Sequence, residues 1–147
     1  MMISVIIPLF NKQETIGKTI TSVLNQNYNN FEIIIINDGS NDSSVGIVSQ
    51  IKDSRIKLFN QENKGQSSAR NNGIRKAKGN IVAFLDGDDF WENNHLDTII
   101  NLSNKYKNVS LYATAYKSLY RNNFSLVTQY LTPKQESCII KDYFNIA

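Results

Sequence analysis

Three carboxylates crowd into four residues at Asp86-Gly87-Asp88-Asp89. Like charges this close raise one another's proton affinity unless a cation neutralises them. Oxygen-only donors favour a hard divalent ion, Mg²⁺ or Mn²⁺, held by one or two carboxylates together with substrate phosphates. Gly87 lets the backbone turn tightly beside a ligand. A solvated acidic turn, or a cap for the next helix, would use the same residues. The preceding segment is the electrostatic complement: from Asn63 to Leu85 there is no acid, while Lys64, Arg70, Arg75, Lys76 and Lys78 lie within it. Lys64 and Arg70, at the head of a helix, are placed to face an anion with help from its free amides. Arg75, Lys76 and Lys78 fall in its last turns, where cations suit the helix dipole. Asp38, beside Gly39, serves either as a turn residue or as an acceptor for a nucleobase or ribose donor. Phe10 either stacks on a base or packs.

Buried strands must carry these residues. Ser4–Pro8, Phe31–Ile36, Arg55–Phe59 and Ile81–Leu85 are short apolar runs that end at polar or turn residues, the pattern of strands covered on both faces. Helices are expected between them. Asn11 with Glu14 resembles a capping box, followed by the stripe Ile16, Ile20, Val23 and Leu24. Asp42 can cap a second helix carrying Val45, Val48 and Ile51. A third runs from about Ser67 to Lys78 and stops at Gly79, a usual terminator. Strands alternating with helices imply a parallel sheet whose ligands bind beyond the strands' carboxyl ends. Phe10-Asn11, Asn37-Asp38-Gly39 and the Asp86–Asp89 cluster all fall there.

Beyond Trp91, which suits either the core or a pocket wall, a helix is expected from about Glu92 to Tyr106. Tyr112, Tyr116 and Tyr120 fit strand or helix, Val109 and Phe124–Thr128 lean to strands, and Pro133 opens a loop. His95 is the only histidine and reads as packing rather than a ligand. Cys138, the single cysteine, lacks an activating partner nearby.

The composition narrows the classes. At 147 residues and 41% hydrophobic, the chain suits one domain with one core. One cysteine excludes a disulfide framework or a cysteine zinc cluster, and suggests a reducing, cytoplasmic setting. The longest aliphatic run, Ile33–Ile36, is far short of the roughly 20 residues of a membrane span. The N-terminus has no basic region or small-residue cleavage site, so no signal peptide is read. A net charge of +3 without a reading motif argues against nucleic acid. Neither Gly-x-Gly-x-x-Gly nor a Gly-x4-Gly-Lys-Ser/Thr loop is present. Heavy use of Asn, Ile and Lys suggests an AT-rich bacterial genome.

Four segments, in order, resemble the family 2 glycosyltransferases: Val5-Ile6-Ile7-Pro8-Leu9-Phe10-Asn11-Lys12-Gln13-Glu14, Ile35–Ser40, Asn63–Asn71 with Gly73, and Phe84–Asp89, together covering about residues 3 to 95. The resemblance implies a GT-A-like α/β three-layer sandwich with a mainly parallel central sheet, and inverting sugar transfer from a nucleotide-diphosphate donor. It assigns Pro8, Phe10, Glu14, Asp38, Lys64, Gly65, Arg70 and Asp86 to the nucleotide, with Asp38 accepting from the base and Phe10 in its pocket. Asp86 and Asp88 go to Mn²⁺ or Mg²⁺, and Asp89 is the family's frequent extra acid. It further implies a UDP-sugar as the expected donor, a saccharide or lipid-linked acceptor in bacterial polysaccharide biosynthesis, and a place in the cytoplasm or at the inner face of the membrane.

An inverting transferase needs a general base facing the acceptor hydroxyl. After Glu92 and Asp97 the remaining acids are Glu136 and Asp142, and neither lies in a recognisable version of the family's later motif. The expectation is therefore a single domain over 1–147, truncated, with residues 1–95 as the nucleotide-sugar half and 96–147 beginning the acceptor side. No catalytic base is named. A nucleotide-sugar-binding module without turnover is the alternative.

Overall fold

The computed structural model describes residues 1–107, 111, 112, 114, 116–120 and 123–127, the last two stretches as backbone. Val109, Thr128, Pro133, Glu136, Cys138 and Asp142 lie outside the described residues. The chain divides into two compact units, Met1–Ile100 and Asn101–Ala147.

In the first unit, β1 (Ile3–Leu9) and β2 (Phe31–Asp38) run side by side, with β3 (Ile56–Gln61) and β4 (Ile81–Phe84) flanking them in the order β3-β2-β1-β4. All pairings are parallel, in registers such as Ile7↔Ile35, Ile35↔Leu58 and Val5↔Ala83. Every residue of β1 and β2 is buried, whereas β3 and β4 are only partly so. Central strands covered on both faces need continuous apolar runs, and β1 and β2 supply them.

The pleat sorts these strands into two cores. Val5, Ile7, Ile33 and Ile35 pack with Ile16, Ile20 and Val23 of α1 (Ile16–Leu24), Val48 of α2 (Ser44–Gln50) and Leu96 of α4 (His95–Lys105). Ile6, Ile34 and Ile36 pack with Ala69 of α3 (Gln66–Lys76) on the other face. The result is the expected three-layer α/β sandwich. Each fully buried isoleucine contributes about 1.5–3 kcal/mol of burial. Gly73 brings α3 close to β1, since a Cβ there would lie 2.4 Å from Ile6 Cγ2.

Two expected helix signals act differently. α1 begins at Ile16 with no side-chain cap. Asn11 adopts φ 51° and turns away from the helix, accepting from the Asn41 amide at 3.0 Å while its own amide donates to Ser40 Oγ at 3.1 Å. The capping box is lost because Asn11 ties one loop to the next. Similarly, α3 ends at Lys76 and Ala77 forms its boundary in extended backbone. Gly79 is needed instead for close approach to β1, where a Cβ would stand 2.6 Å from Ser4 N. Asp42 does accept the amide of Ser44, the first residue of α2, at 2.9 Å. α4 starts three residues later than the pattern predicts, because Glu92–Asn94 form a turn that His95 N closes onto Glu92 O at 3.0 Å.

In the second unit, β5 (Tyr116–Tyr120) and β6 (Asn123–Val127) form an antiparallel pair. Tyr116 and Tyr120 thus lie in a strand, whereas Tyr112 precedes it in irregular chain. No helix among the described residues is long and apolar enough to cross a membrane.

Candidate functional site

From β1 the chain builds outward through β2 to β3, then returns to place β4 on the other side of β1. The sheet therefore has a switch point between β1 and β4, the place in such open parallel sheets where ligands bind beyond the strands' carboxyl ends. Phe10–Lys12 follow β1 and Asp86–Asp89 follow β4. Among the described residues those with positive φ, Asn11, Gly39 and Gly65, lie in loops at this same edge.

The acidic loop is held from below and from both sides. Gly87 O accepts from Thr15 Oγ1 at 2.8 Å and Thr19 Oγ1 at 3.1 Å, one before α1 and one within it. A Cβ at Gly87 would come within 3.3 Å of Pro8 O and Lys12 Cγ, so the loop lies against the end of β1. From the α3 side, Arg70 Nη2 donates to Asp86 Oδ1 at 2.6 Å and Gln66 Nε2 to the same oxygen at 2.9 Å. From the β1 side, Lys12 Nζ reaches Asp88 Oδ2 at 2.6 Å, with the two side chains 39% and 46% exposed. The Lys12–Asp88 pair sits in water and is worth about 1 kcal/mol or less, while the Arg70–Asp86 pair is partly buried. Asp89 has no such partner among the described residues: burial, then the charges of Asp88 and Asp86, push its carboxyl above the usual range against the pull of Lys12.

The guanidinium of Arg70 also lies 5.9 Å from the centre of the half-exposed Phe84 ring. Its Nε is the buried side-chain polar atom without a hydrogen bond among the described residues. An orphaned donor of this kind costs free energy until something accepts from it.

Asp38 is 3% exposed at the end of β2. Its Oδ1 accepts from Gln61 Nε2 and Lys64 N, each at 2.8 Å, and Oδ2 accepts from Gly65 N at 2.9 Å. The carboxylate thus fixes the turn into α3, with Gly65 supplying the required φ of 85°. Lys64 contributes its amide to this turn, while its side chain lies 3.5 Å from Glu62 in solvent. Glu14 is exposed and accepts from Gln13 Nε2 at 3.4 Å. Pro8 sits buried in β1 opposite Ile36, and Phe10 is 44% exposed beyond it.

The structure therefore gathers Arg70 with Asp86, and Lys12 with Asp88, at one edge. Lys12, Gln66, Thr15 and Thr19 are absent from the sequence-based list. Thr19 carried a signal: a hydroxyl on the buried stripe between Ile16 and Ile20 must find an acceptor. His95 packs as expected, stacked on Trp91 at 4.2 Å, and burial pushes its imidazole down to about 4. Trp91 packs against the core, and its amide donates to Ser22 Oγ at 3.1 Å.

Comparison with known proteins agrees with this architecture. The family model described as glycosyl transferase family 2 matches residues 4–146. An uncharacterized glycosyltransferase of Haemophilus influenzae is 40% identical over 131 residues, 86% of this chain and 52% of that protein. An Escherichia coli UDP-Glc:alpha-D-GlcNAc-diphosphoundecaprenol beta-1,3-glucosyltransferase is 38% identical over 135 residues, 91% of this chain and 52% of that protein. The chain thus spans about half the length of these two relatives. Staphylococcus aureus TarS 1-349, solved with UDP-GlcNAc, superposes with a TM-score of 0.69 at 26% identity, covering 73% of this chain and 32% of that one. A Pyrobaculum calidifontis mannosyltransferase with GDP-Man and Mn²⁺ shares the fold, with a TM-score of 0.63 at 22% identity over 69% of this chain and 32% of that one.

Proposed function

This chain belongs to glycosyl transferase family 2, and from that premise we propose that it forms the donor-binding part of an inverting transferase that takes a UDP-sugar. The observation that carries the reading is the pairing of Arg70 with Asp86, and Lys12 with Asp88, across the switch point of the sheet. Fixed cations and carboxylates side by side suit a ligand that brings both negative phosphates and a positive ion.

A divalent ion, Mg²⁺ or Mn²⁺, fits the residues present. Asp86 and Asp88 offer hard oxygen donors, and each ion pair uses one oxygen only, Oδ1 of Asp86 and Oδ2 of Asp88. No group of three ligating side chains gathers among the described residues. Two carboxylates then need the diphosphate oxygens to complete the shell, the usual arrangement for such ions. When bound, the ion neutralises charge developing on the departing nucleoside diphosphate. The chain's own residues do the rest. Arg70 offers its unpaired Nε–H to an anionic oxygen, Phe10 presents an exposed ring for stacking, and Asp38 holds the Lys64–Gly65 turn at the same edge, with acceptor capacity left for a base donor.

The Escherichia coli relative acts on a lipid-linked diphosphate sugar, which supports a lipid-linked saccharide acceptor presented at the cytoplasmic face of a membrane. Calorimetric titration of UDP, GDP and TDP with Mn²⁺, followed by assay of UDP-glucose turnover with a GlcNAc-diphospholipid acceptor, tests the reading. Selective Mn²⁺-dependent UDP binding with transfer is expected. Binding without transfer would make the chain a nucleotide-sugar-binding module, and absence of nucleotide binding would overturn the site.

A further inference from the structure

Both carboxylates expected to take the divalent ion already hold a cation of the protein, and the two cations differ in kind. Arg70 rises from α3, and its guanidinium has a second attachment at Phe84. Lys12 stands in the loop after β1 and reaches Asp88 across the switch point as a flexible stem ending in a point charge. The loop itself does not depend on that stem. Lys12 N donates to Ser44 Oγ at 2.8 Å, and the neighbouring Gln13 amide donates to Asp42 Oδ2 at 3.0 Å. The backbone stays anchored wherever the ammonium goes.

We propose that Lys12 is a place-holding counter-ion: its ammonium occupies Asp88 until a nucleoside diphosphate arrives with the divalent ion, and then moves to the phosphates. This rests on the donor-site reading above. An ammonium and a divalent ion on one carboxylate repel each other, so the ion alone must displace Lys12 into solvent and binds weakly. A diphosphate brings new acceptors for the displaced ammonium, so ion and nucleotide bind with positive coupling, and by reciprocity each tightens the other. Lys12 is in this account a positioning residue that makes occupancy by the ion conditional on the nucleotide.

The test is Mn²⁺ titration of the full-length chain, read as loss of the free-ion electron paramagnetic resonance signal, with and without UDP. Wild type is compared with Lys12→Met, which keeps the aliphatic stem beside Gly87, and with Lys12→Arg, which keeps the charge. Without nucleotide, Lys12→Met should bind Mn²⁺ about three- to tenfold more tightly than wild type, as expected for removing a partly screened like charge. The tightening of Mn²⁺ by UDP should shrink by the same factor or more, and Lys12→Arg should follow wild type. Cooperative binding of Mn²⁺ and UDP by wild type, with no gain in Lys12→Met, overturns the counter-ion role and leaves the donor-site reading standing. Wild type that binds neither UDP nor Mn²⁺ overturns both.

Discussion

At the N-terminal edge of the sheet the carboxylate of Glu32 is 2% exposed and fully engaged. Ser4 Oγ and Lys78 N donate to its Oε1 at 2.7 and 2.8 Å, and Lys57 Nζ to its Oε2 at 2.6 Å. Burial alone would raise its pKa, but these bonds outweigh it and hold the carboxyl below the usual range. At the C-terminal edge three carboxylates share one loop, two hold one cation each, and the third is pushed towards protonation by burial and then by the charges of the other two. The positive-φ residues and the orphaned Arg70 Nε lie at this edge as well. The same strands therefore carry a satisfied, structural charge at one end and under-compensated charges at the other. Saturated polar groups leave a ligand nothing to add, whereas under-compensated ones supply binding energy when a ligand of matching charge completes them.

The sharpest way to break this contrast is Glu32→Ala. It strips acceptors from Ser4, Lys57 and the Lys78 amide together, and should cost about 3 kcal/mol in urea unfolding. Nucleotide affinity of the folded fraction should stay unchanged.

Acid separates the regions by pH window. His95 takes up a proton near pH 6.5 when unfolded and only at about 4 when folded. Between those values the unfolded chain binds more protons, so stability falls as pH falls, by at most about 3 kcal/mol. His95→Phe should flatten the urea midpoint between pH 7 and pH 5. The contribution of Glu32 has the opposite origin, a lowered carboxylate, and is lost only as pH drops below its ordinary value of 4.5. A chain whose stability is flat from pH 7 to pH 5 would contradict the burial of His95.

Thr19→Val removes one of the two hydroxyls on Gly87 O while keeping the side-chain shape. It should cost about 1 kcal/mol of stability, and nucleotide affinity should fall as well, since the acidic loop loses an anchor. Equal affinity in Thr19→Val would show that Thr15, Gln66 and Arg70 position the loop without it. Asp88→Ala should change stability least, within about 0.5 kcal/mol, because the lost exposed pair is offset by relief of repulsion on Asp89.

The strands and the α1 stripe were legible because burial on both faces writes itself into continuous apolar runs such as Val5–Ile7 and Ile33–Ile36. The edge carrying the candidate site was inferred from strand ends alone. Asn11 misled because its spacing to Glu14 is a local signal, whereas its bonds run to Ser40 and Asn41. Gly79 misled because a glycine past a helix can serve the helix or its neighbour, and here Ser4 N lies too close for a Cβ. Lys12 escaped the reading because its partner is 76 positions away, a pairing created only when β4 is laid beside β1. Asp38 was legible both as a turn residue and as a ligand acceptor, and the bonds to Lys64 N and Gly65 N give it the first role while leaving room for the second.

The central claim is that the edge beyond β1 and β4 binds a nucleoside diphosphate together with a divalent ion. The most direct measurement is a thermal shift with UDP and Mn²⁺, separately and combined, for wild type and Asp88→Ala. The account predicts a combined shift larger than the sum of the separate ones, equivalent to about 2.7 kcal/mol at a hundredfold excess over Kd, and lost in Asp88→Ala. An equal shift in Asp88→Ala, or none with any nucleotide, would contradict it.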